Sequence, residues 1–236
     1  MKNYLLISII SFVLGAAVTY LWLKPTAGNL SEPSSDQKSS TYTFNGEGQS
    51  TVGPMRFDKP LVLLRAKNVT GANDTFSTSL RIDENKNGVI DTGEGWTGVG
   101  VSVAYKTAEN FDGTVAFKAK PQADYYLEVD GGRWEIIATP AENSDQKISF
   151  SGFSGEGYQV SDGFYLNEGE HTFTVKNEGR GNFIVYLVDE KGNFTNRLVN
   201  QIGDYTGEFT YKVLFPGYYR LAVSGGQWEI GKKVNN

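Results

Sequence analysis

The stretch YYLEVDGGRWEI, Tyr125–Ile136, decides the fold, because it returns in closely similar form as YYRLAVSGGQWEI, Tyr218–Ile230. Between residues 111 and 136 the two copies align at a constant offset of 94 residues, so that Trp134 matches Trp228. Self-similarity over such a span is the signature of a repeated structural unit. The sequence therefore contains an internal duplication.

The duplication extends upstream, and a change of offset locates an insertion. Phe76 matches Phe183 at an offset of 107 residues, and Gly46 matches Gly155 at an offset of 109. The fall from 107 to 94 gives the first copy 13 additional residues between positions 80 and 111. The simplest interpretation is that a loop was inserted into one connection of the first copy.

Each copy has the pattern of short β-strands. Apolar and polar residues alternate over 183–188 and 219–223, and turn signals fall every eight to twelve residues. The pattern predicts an all-β protein with two tandem antiparallel β-sandwich domains, and it leaves jelly-roll and immunoglobulin-like topologies both open. The pair Gly131-Gly132 is predicted to form a hairpin turn, because primed turns need positive φ angles.

The predicted boundaries follow from the repeat. The first β-sandwich module covers residues 42–140 and is called the first repeat below. A linker covers 141–147, and the second module, called the second repeat, covers 148–233.

The N-terminal segment Tyr4–Leu23 is a run of twenty mostly apolar residues. Residues 1–3, which precede it, are predicted to be cytoplasmic. Twenty residues of helix span about 30 Å, the thickness of the hydrocarbon layer. The small residues Gly15–Ala17 lie inside the run, which favours an uncleaved transmembrane helix (a signal-anchor) over a cleaved signal segment. Residues 24–41 are predicted to be a flexible linker. We expect a single-pass cell-membrane protein with its bulk extracytoplasmic, or a secreted protein if the segment is cleaved.

Composition excludes several kinds of site. There is no cysteine, which excludes disulfides, a lipid-modified cysteine and thiolate zinc sites. The net charge is −5 and no basic run exceeds two residues, so we expect no nucleic-acid partner. The single histidine, His171, lies on a predicted strand away from any nucleophile motif and is expected to be structural.

Twelve residues within the insertion, Asp83–Glu94, match the pattern D-x-[DN]-x-[DN]-G-x5-E at every specified position. Side-chain oxygens at alternate positions suit a hard cation, and Gly88 permits the sharp turn between the two halves of the loop. The predicted metal ligands are Asp83, Asn85, Asn87, the backbone carbonyl of Val89, Asp91 and a bidentate Glu94.

This loop resembles the calcium site of EF-hand proteins over twelve residues only. EF-hands have a helix on either side of the loop, whereas the flanks here, 75–82 and 96–103, are β-rich. A loop of this type in a duplicated β module looks like those of bacterial and archaeal extracellular surface proteins. The resemblance implies Ca²⁺ in a structural role, with a Kd on the order of 10⁻⁴ to 10⁻³ M.

The features together predict a membrane-anchored extracytoplasmic calcium-binding protein that acts as a non-enzymatic surface module for binding or assembly. Its partners would be the membrane, through the N-terminal helix, and a protein or glycan ligand outside the cell. A carbohydrate-binding module is the alternative, because 13% of the residues are aromatic. Trp134 and Trp228 would be sugar platforms or core residues, and their repetition favours the core. A glycan-acting enzyme with paired carboxylates is the weakest alternative.

Overall fold

The computed structural model describes residues 40–69, 76–83, 86, 102–105 and 111–233. Over these residues the protein is all-β, and its sheets are consistent with a β-sandwich. The same residues include no helix of the length and apolar character needed to cross a membrane. Residues 1–39, which contain the predicted anchor and most of the predicted flexible linker, lie outside them.

The first repeat forms two four-stranded antiparallel sheets around one core. Its strands are β1 (Tyr42–Glu47), β2 (Ser50–Met55), β3 (Leu61–Val69), β4 (Phe76–Asp83), β5 (Ser102–Tyr105), β6 (Asp112–Lys118), β7 (Asp124–Asp130) and β8 (Arg133–Pro140). One sheet has the order β1-β8-β3-β6 and the other has the order β2-β7-β4-β5. Buried Phe76, Leu127 and Trp134 lie between them.

The second repeat has its own core, which includes Phe173, Phe183 and Trp228. Its strands are β9 (Phe153–Val160), β10 (Phe164–Leu166), β11 (Gly169–Glu178), β12 (Asn182–Asp189), β13 (Val199–Ile202), β14 (Tyr205–Val213) and β15 (Gly217–Lys232). They pair in the order β13-β12-β15-β11-β14, with β9 and β10 also on β15. The pairing repeats that of the first copy: Ala66 of β3 lies opposite Ile136, and Val175 of β11 lies opposite Ile230.

The pair Gly131-Gly132 bends a ribbon instead of turning a hairpin, so the hairpin prediction is wrong. Strand β7 pairs with β2 and β4, whereas β8 pairs with β1 and β3 in the other sheet. In the second repeat the same stretch is the single strand β15, with a register shift between Gly225 and Gln227. Glycine is required at the bend, because Gly131 has a φ of 155° and a Cβ at Gly226 would overlap the backbone of Glu178.

The two repeated tryptophans are buried in the cores, which confirms the prediction for them. Each indole N–H donates a hydrogen bond to a glycine carbonyl, Trp134 to Gly48 at 3.0 Å and Trp228 to Gly157 at 3.3 Å. Gly46 lies directly opposite Trp134 in the ladder, and a Cβ there would overlap the indole ring. Tryptophan and glycine therefore form one packing unit at each corner.

An apolar junction connects the two repeats. Buried Leu61 and Ala116 of the first repeat pack with buried Val188 of the second, and half-buried Leu63 and Ala222 extend the contact. These side chains lie on the outer faces of their sheets, away from the two cores. In the second repeat the positions equivalent to Leu61, Leu63 and Ala116 are polar, namely Glu170, Thr172 and Thr210.

The segment 141–147, predicted as a linker, is held against the second repeat. Buried Arg220 donates hydrogen bonds to the carbonyls of Ser161, at 3.0 Å, and of Glu142. The Tyr218 hydroxyl contacts the carbonyls of Ser144 and Gln146, at 2.7 Å and 2.5 Å. The connection between the repeats is thus fixed at several backbone positions.

We predict that Gly46→Ala destabilises the first repeat by about 1–3 kcal/mol, because the added methyl group forces the buried indole of Trp134 out of its position. Gly181→Ala is the matched control, since a Cβ at Gly181 meets no atom within 4 Å. It should change stability by less than about 0.5 kcal/mol. Chemical denaturation of both variants measures the difference, and equal effects would contradict the packing role of Gly46.

Candidate calcium site

Asp83 is the one predicted calcium ligand within the described part of the chain. Asn85, Asn87, Val89, Asp91 and Glu94 lie outside it. Among the described residues there is no group of three or more His, Cys, Asp or Glu side chains placed to hold a metal ion. The described geometry therefore concerns the start of the loop and the strands that position it.

Asp83 is the last residue of β4 and lies opposite Asp124, the first residue of β7. Both residues are buried, with 1% of Asp83 and 5% of Asp124 exposed. Two carboxylates brought together away from water repel each other, so the site favours a nearby positive charge. The ladder between β4 and β7 fixes this juxtaposition.

Arg56 supplies one positive charge to the site. Its guanidinium forms a two-pronged ion pair with Asp124, with Nε 2.5 Å from Oδ1 and Nη2 2.9 Å from Oδ2. Hydrogen bonding to Arg56 lowers the pKa of the Asp124 carboxyl despite its burial, and the charge of Lys86 acts in the same direction. Arg56 and Lys86 thus place two positive charges near the two carboxylates.

Lys86 has a backbone conformation that is unusual for its residue type. It is the fourth residue of the loop and has a φ of 55°, a conformation uncommon for residues other than glycine. A residue in this region reverses the chain direction over a short distance.

Arg56 and Asp124 were not predicted from the sequence, although the repeat contains a signal for them. Their equivalents in the second repeat are Tyr165 and Tyr218, which lie opposite each other with ring centroids 5.5 Å apart. An aromatic pair in one copy has become an ion pair in the other, beside Asp83. When both members of a contacting pair differ between the two repeats, the pair has a different role in each repeat.

Comparisons with known proteins give little further information. No family model matches the chain, and no curated protein matches it. Among solved structures, the chain is similar to the PBSX exported protein XepA, with 8% sequence identity, a TM-score of 0.26, and coverage of 81% of this chain and 82% of that one. A likeness with so low a TM-score carries no argument about either fold or function.

We predict that Arg56→Gln destabilises the protein by about 1–2 kcal/mol, because it leaves the buried Asp124 carboxylate without its charged partner. The figure is below that of a fully buried pair, since Arg56 itself is half exposed. Arg65→Gln is the matched control, because Arg65 makes a similar two-pronged pair with exposed Asp112. Urea denaturation should show a loss below about 0.5 kcal/mol for the control. Equal losses in the two variants would refute the special role of Asp124.

Proposed function

We propose that the protein is a membrane-tethered, extracytoplasmic surface module for binding or assembly, non-enzymatic, and built from two tandem antiparallel β-sandwich modules. Calcium bound by the loop Asp83–Glu94 stabilises the first module. The observation that carries the calcium part is the burial of Asp83 beside Asp124 at the start of the loop. The tether rests on the apolar segment Tyr4–Leu23.

Electrostatics supports calcium at this position. Asp83 begins a loop that also contains Asp91 and Glu94, so three carboxylates would converge near Asp124 if the loop closes on one point. Arg56 already occupies one side of Asp124 and neutralises this fourth carboxylate. A divalent cation that takes oxygen ligands from Asp83, Asn85, Asn87, Val89, Asp91 and Glu94 neutralises two of the three charges that remain. Magnesium suits the loop less, because it resists so crowded a shell of protein oxygens.

The role of the ion is structural. Asp83 is part of a β-ladder, held by its pairing with β7, and the loop leaves directly from that ladder. Calcium sensors respond by changing the angle between two helices, and the flanks of this loop are β-rich. Binding therefore orders a long connection and relieves repulsion between carboxylates. It stabilises the first repeat without a large change of shape.

Thermal unfolding of the full chain in detergent, with calcium or with a chelator, tests the site. At a calcium concentration of ten times Kd the ion should add about 1.4 kcal/mol to the stability of the first repeat and leave the second unchanged. Because Gly46→Ala destabilises the first repeat, the melting transition that this variant lowers is the one that belongs to the first repeat. Glu94→Gln should abolish the shift, and Glu190→Gln, in the equivalent connection of the second repeat, should retain it. Coinciding melting curves at millimolar calcium would exclude the site.

Carbohydrate binding is the second candidate, and the outer face of the second repeat favours it. On this face Tyr186 of β12 lies opposite Ala222, and Tyr158 of β9 lies opposite Ser224. The hydroxyl of Tyr158 is hydrogen-bonded to Ser224. The matching face of the first repeat carries Ser77, Ser79, Glu128 and Asp130. Both tyrosines are half-buried, and the Tyr186 hydroxyl accepts a 3.0 Å hydrogen bond from Nε of Arg197, beside Ala222 of the junction. Tyrosine rings held in place by hydrogen bonds are suited to stacking against a sugar ring.

Retention on a glycan array, in a detergent without a sugar headgroup, separates the two candidates. We predict that Tyr186→Ser weakens retention at least tenfold if this face binds sugar. The substitution introduces the residue found at this position in the first repeat. Because it also removes the contacts of Tyr186 with Phe194 and Arg197, the comparison requires an unchanged melting temperature. Ser79→Ala in the first repeat should leave retention unchanged. Absence of retention on every glycan would remove the carbohydrate candidate.

A further inference from the structure

The turn between β14 and β15 presents two adjacent apolar side chains to solvent. Leu214 is 63% exposed and Phe215 is 78% exposed. Scattered apolar residues are normal on protein surfaces, whereas neighbouring large ones on one turn indicate an interaction site. Ile148 is 49% exposed and lies at the same end of the second repeat. We call Ile148, Leu214 and Phe215 the apolar tip.

The backbone of this turn is fixed on both sides. The Tyr219 hydroxyl donates a hydrogen bond of 2.8 Å to the Phe215 carbonyl, and the Tyr219 ring is buried in the core. Val213, just before the turn, is fully buried. Leu214 and Phe215 are therefore anchored at both ends of the turn, and their exposure is built into the fold.

The fold itself does not require apolar residues here. At the offset of 94 residues, the equivalent turn of the first repeat carries Lys120 and Pro121 in place of Leu214 and Phe215. The two turns belong to the same scaffold and join equivalent strands. The apolar pair is thus a feature of the second repeat alone.

Ile148 joins the tip through two neighbouring strands. Its carbonyl accepts a 2.7 Å hydrogen bond from the backbone N–H of Tyr165, and β10 in turn pairs Tyr165 with Tyr218 of β15. Two strand spacings, about 10 Å, therefore separate Ile148 from Tyr218, which follows Phe215 by three residues. Lys147 lies 4.2 Å from the centre of the Tyr165 ring. Tyrosine and lysine behind exposed apolar side chains are the residue types that occupy a membrane interface.

We propose that the apolar tip inserts into the boundary between headgroups and hydrocarbon of a lipid bilayer. The proposal rests on the tether of the proposed function, because a tethered chain is concentrated at the bilayer and needs only a weak second contact. A lipid surface fits the size of the tip better than a protein does. Leu214 and Phe215 together expose on the order of 300 Å², whereas a stable protein interface buries about 800 Å² on each partner.

Charge around the tip indicates an apolar mode of insertion. Exposed Glu168 and Glu170 lie beside the turn, because Gly169 pairs with Val213, and Lys212 opposite Glu170 together with Lys147 balances their charge. The chain as a whole has a net charge of −5. Anionic lipid therefore offers no attraction, and insertion should depend on neither phosphatidylserine content nor salt.

The absence of cysteine allows a single reporter to be placed on the full chain. Pro216→Cys carries an environment-sensitive fluorophore at the tip. Ile202→Cys carries it on β13 as the matched control, since Ile202 is 79% exposed and pairs with Asn182 at the opposite end of β12. The labelled chains are reconstituted into phosphatidylcholine vesicles that contain nitroxide-labelled lipid.

We expect a blue-shifted emission and at least twofold quenching by the nitroxide at position 216, and water-like emission at position 202. Phe215→Ser should remove the signal at 216, and Phe215→Leu should keep most of it. Water-like emission at both positions overturns the proposal, as does a signal that appears only with anionic lipid. A signal at 216 that requires an added protein assigns the tip to a protein partner and also overturns it.

Sedimentation of the same vesicles distinguishes failure of the tip from failure of the tether. A chain that remains with the vesicles without quenching at position 216 retains the tether and refutes the tip. A chain that leaves the vesicles at low lipid, yet is quenched at 216 when lipid is in excess, supports the tip and refutes the tether.

Discussion

The contact between a buried tryptophan and a glycine at each corner is the constraint on which both repeats depend. The indole fills the space left by Gly46 or Gly155, and its N–H reaches the carbonyl of the glycine two residues further on. The chain can then pass from one sheet to the other within a continuous ribbon. In the first repeat this ribbon, β7 followed by β8, is an interior strand of each sheet, so the two sheets share a covalent connection as well as a core. Separation of the two layers would require loss of the corner itself, so packing and connectivity stabilise the same interface.

Duplication makes each repeat a reference for the other. The ladders, corners and core positions agree, which shows what the scaffold requires. The differences occur at positions that the scaffold leaves open. Arg56 and Asp124 form an ion pair where Tyr165 and Tyr218 form a ring contact. Val188 contributes to the junction at the position that Arg81 occupies in an ion pair with Glu128. Each difference replaces both members of a contact, so the surrounding packing is preserved while the chemistry of the surface changes.

Much of the fold follows from local patterns, whereas the site depends on contacts between distant strands. Alternation of apolar residues predicts strands, and repetition of Trp134 and Trp228 predicts their burial. The pair Gly131-Gly132 was misinterpreted because glycine supplies the same backbone freedom to a hairpin turn and to a bend. The distinction lies in the partner strands, β1 and β2, whose paired residues are at least 70 positions away in sequence. Asp83 is found from a twelve-residue motif. Asp124 of β7 and Arg56, which directly follows β2, come from other parts of the chain, and only comparison of the repeats could have indicated them.

The apolar junction fixes the order of the two repeats along the chain. A contact between two different faces of one module would repeat without limit if every copy kept both faces, and such head-to-tail contacts produce filaments. Here the apolar face of Leu61, Leu63 and Ala116 exists on the first repeat, while the second repeat has Glu170, Thr172 and Thr210 there. The hydroxyls of Thr172 and Thr210 hydrogen-bond to each other at 2.9 Å on that surface. The order of the repeats is therefore not exchangeable, because a chain with the two halves reversed would place polar groups against an apolar patch. The duplicated halves are complementary parts and not interchangeable copies.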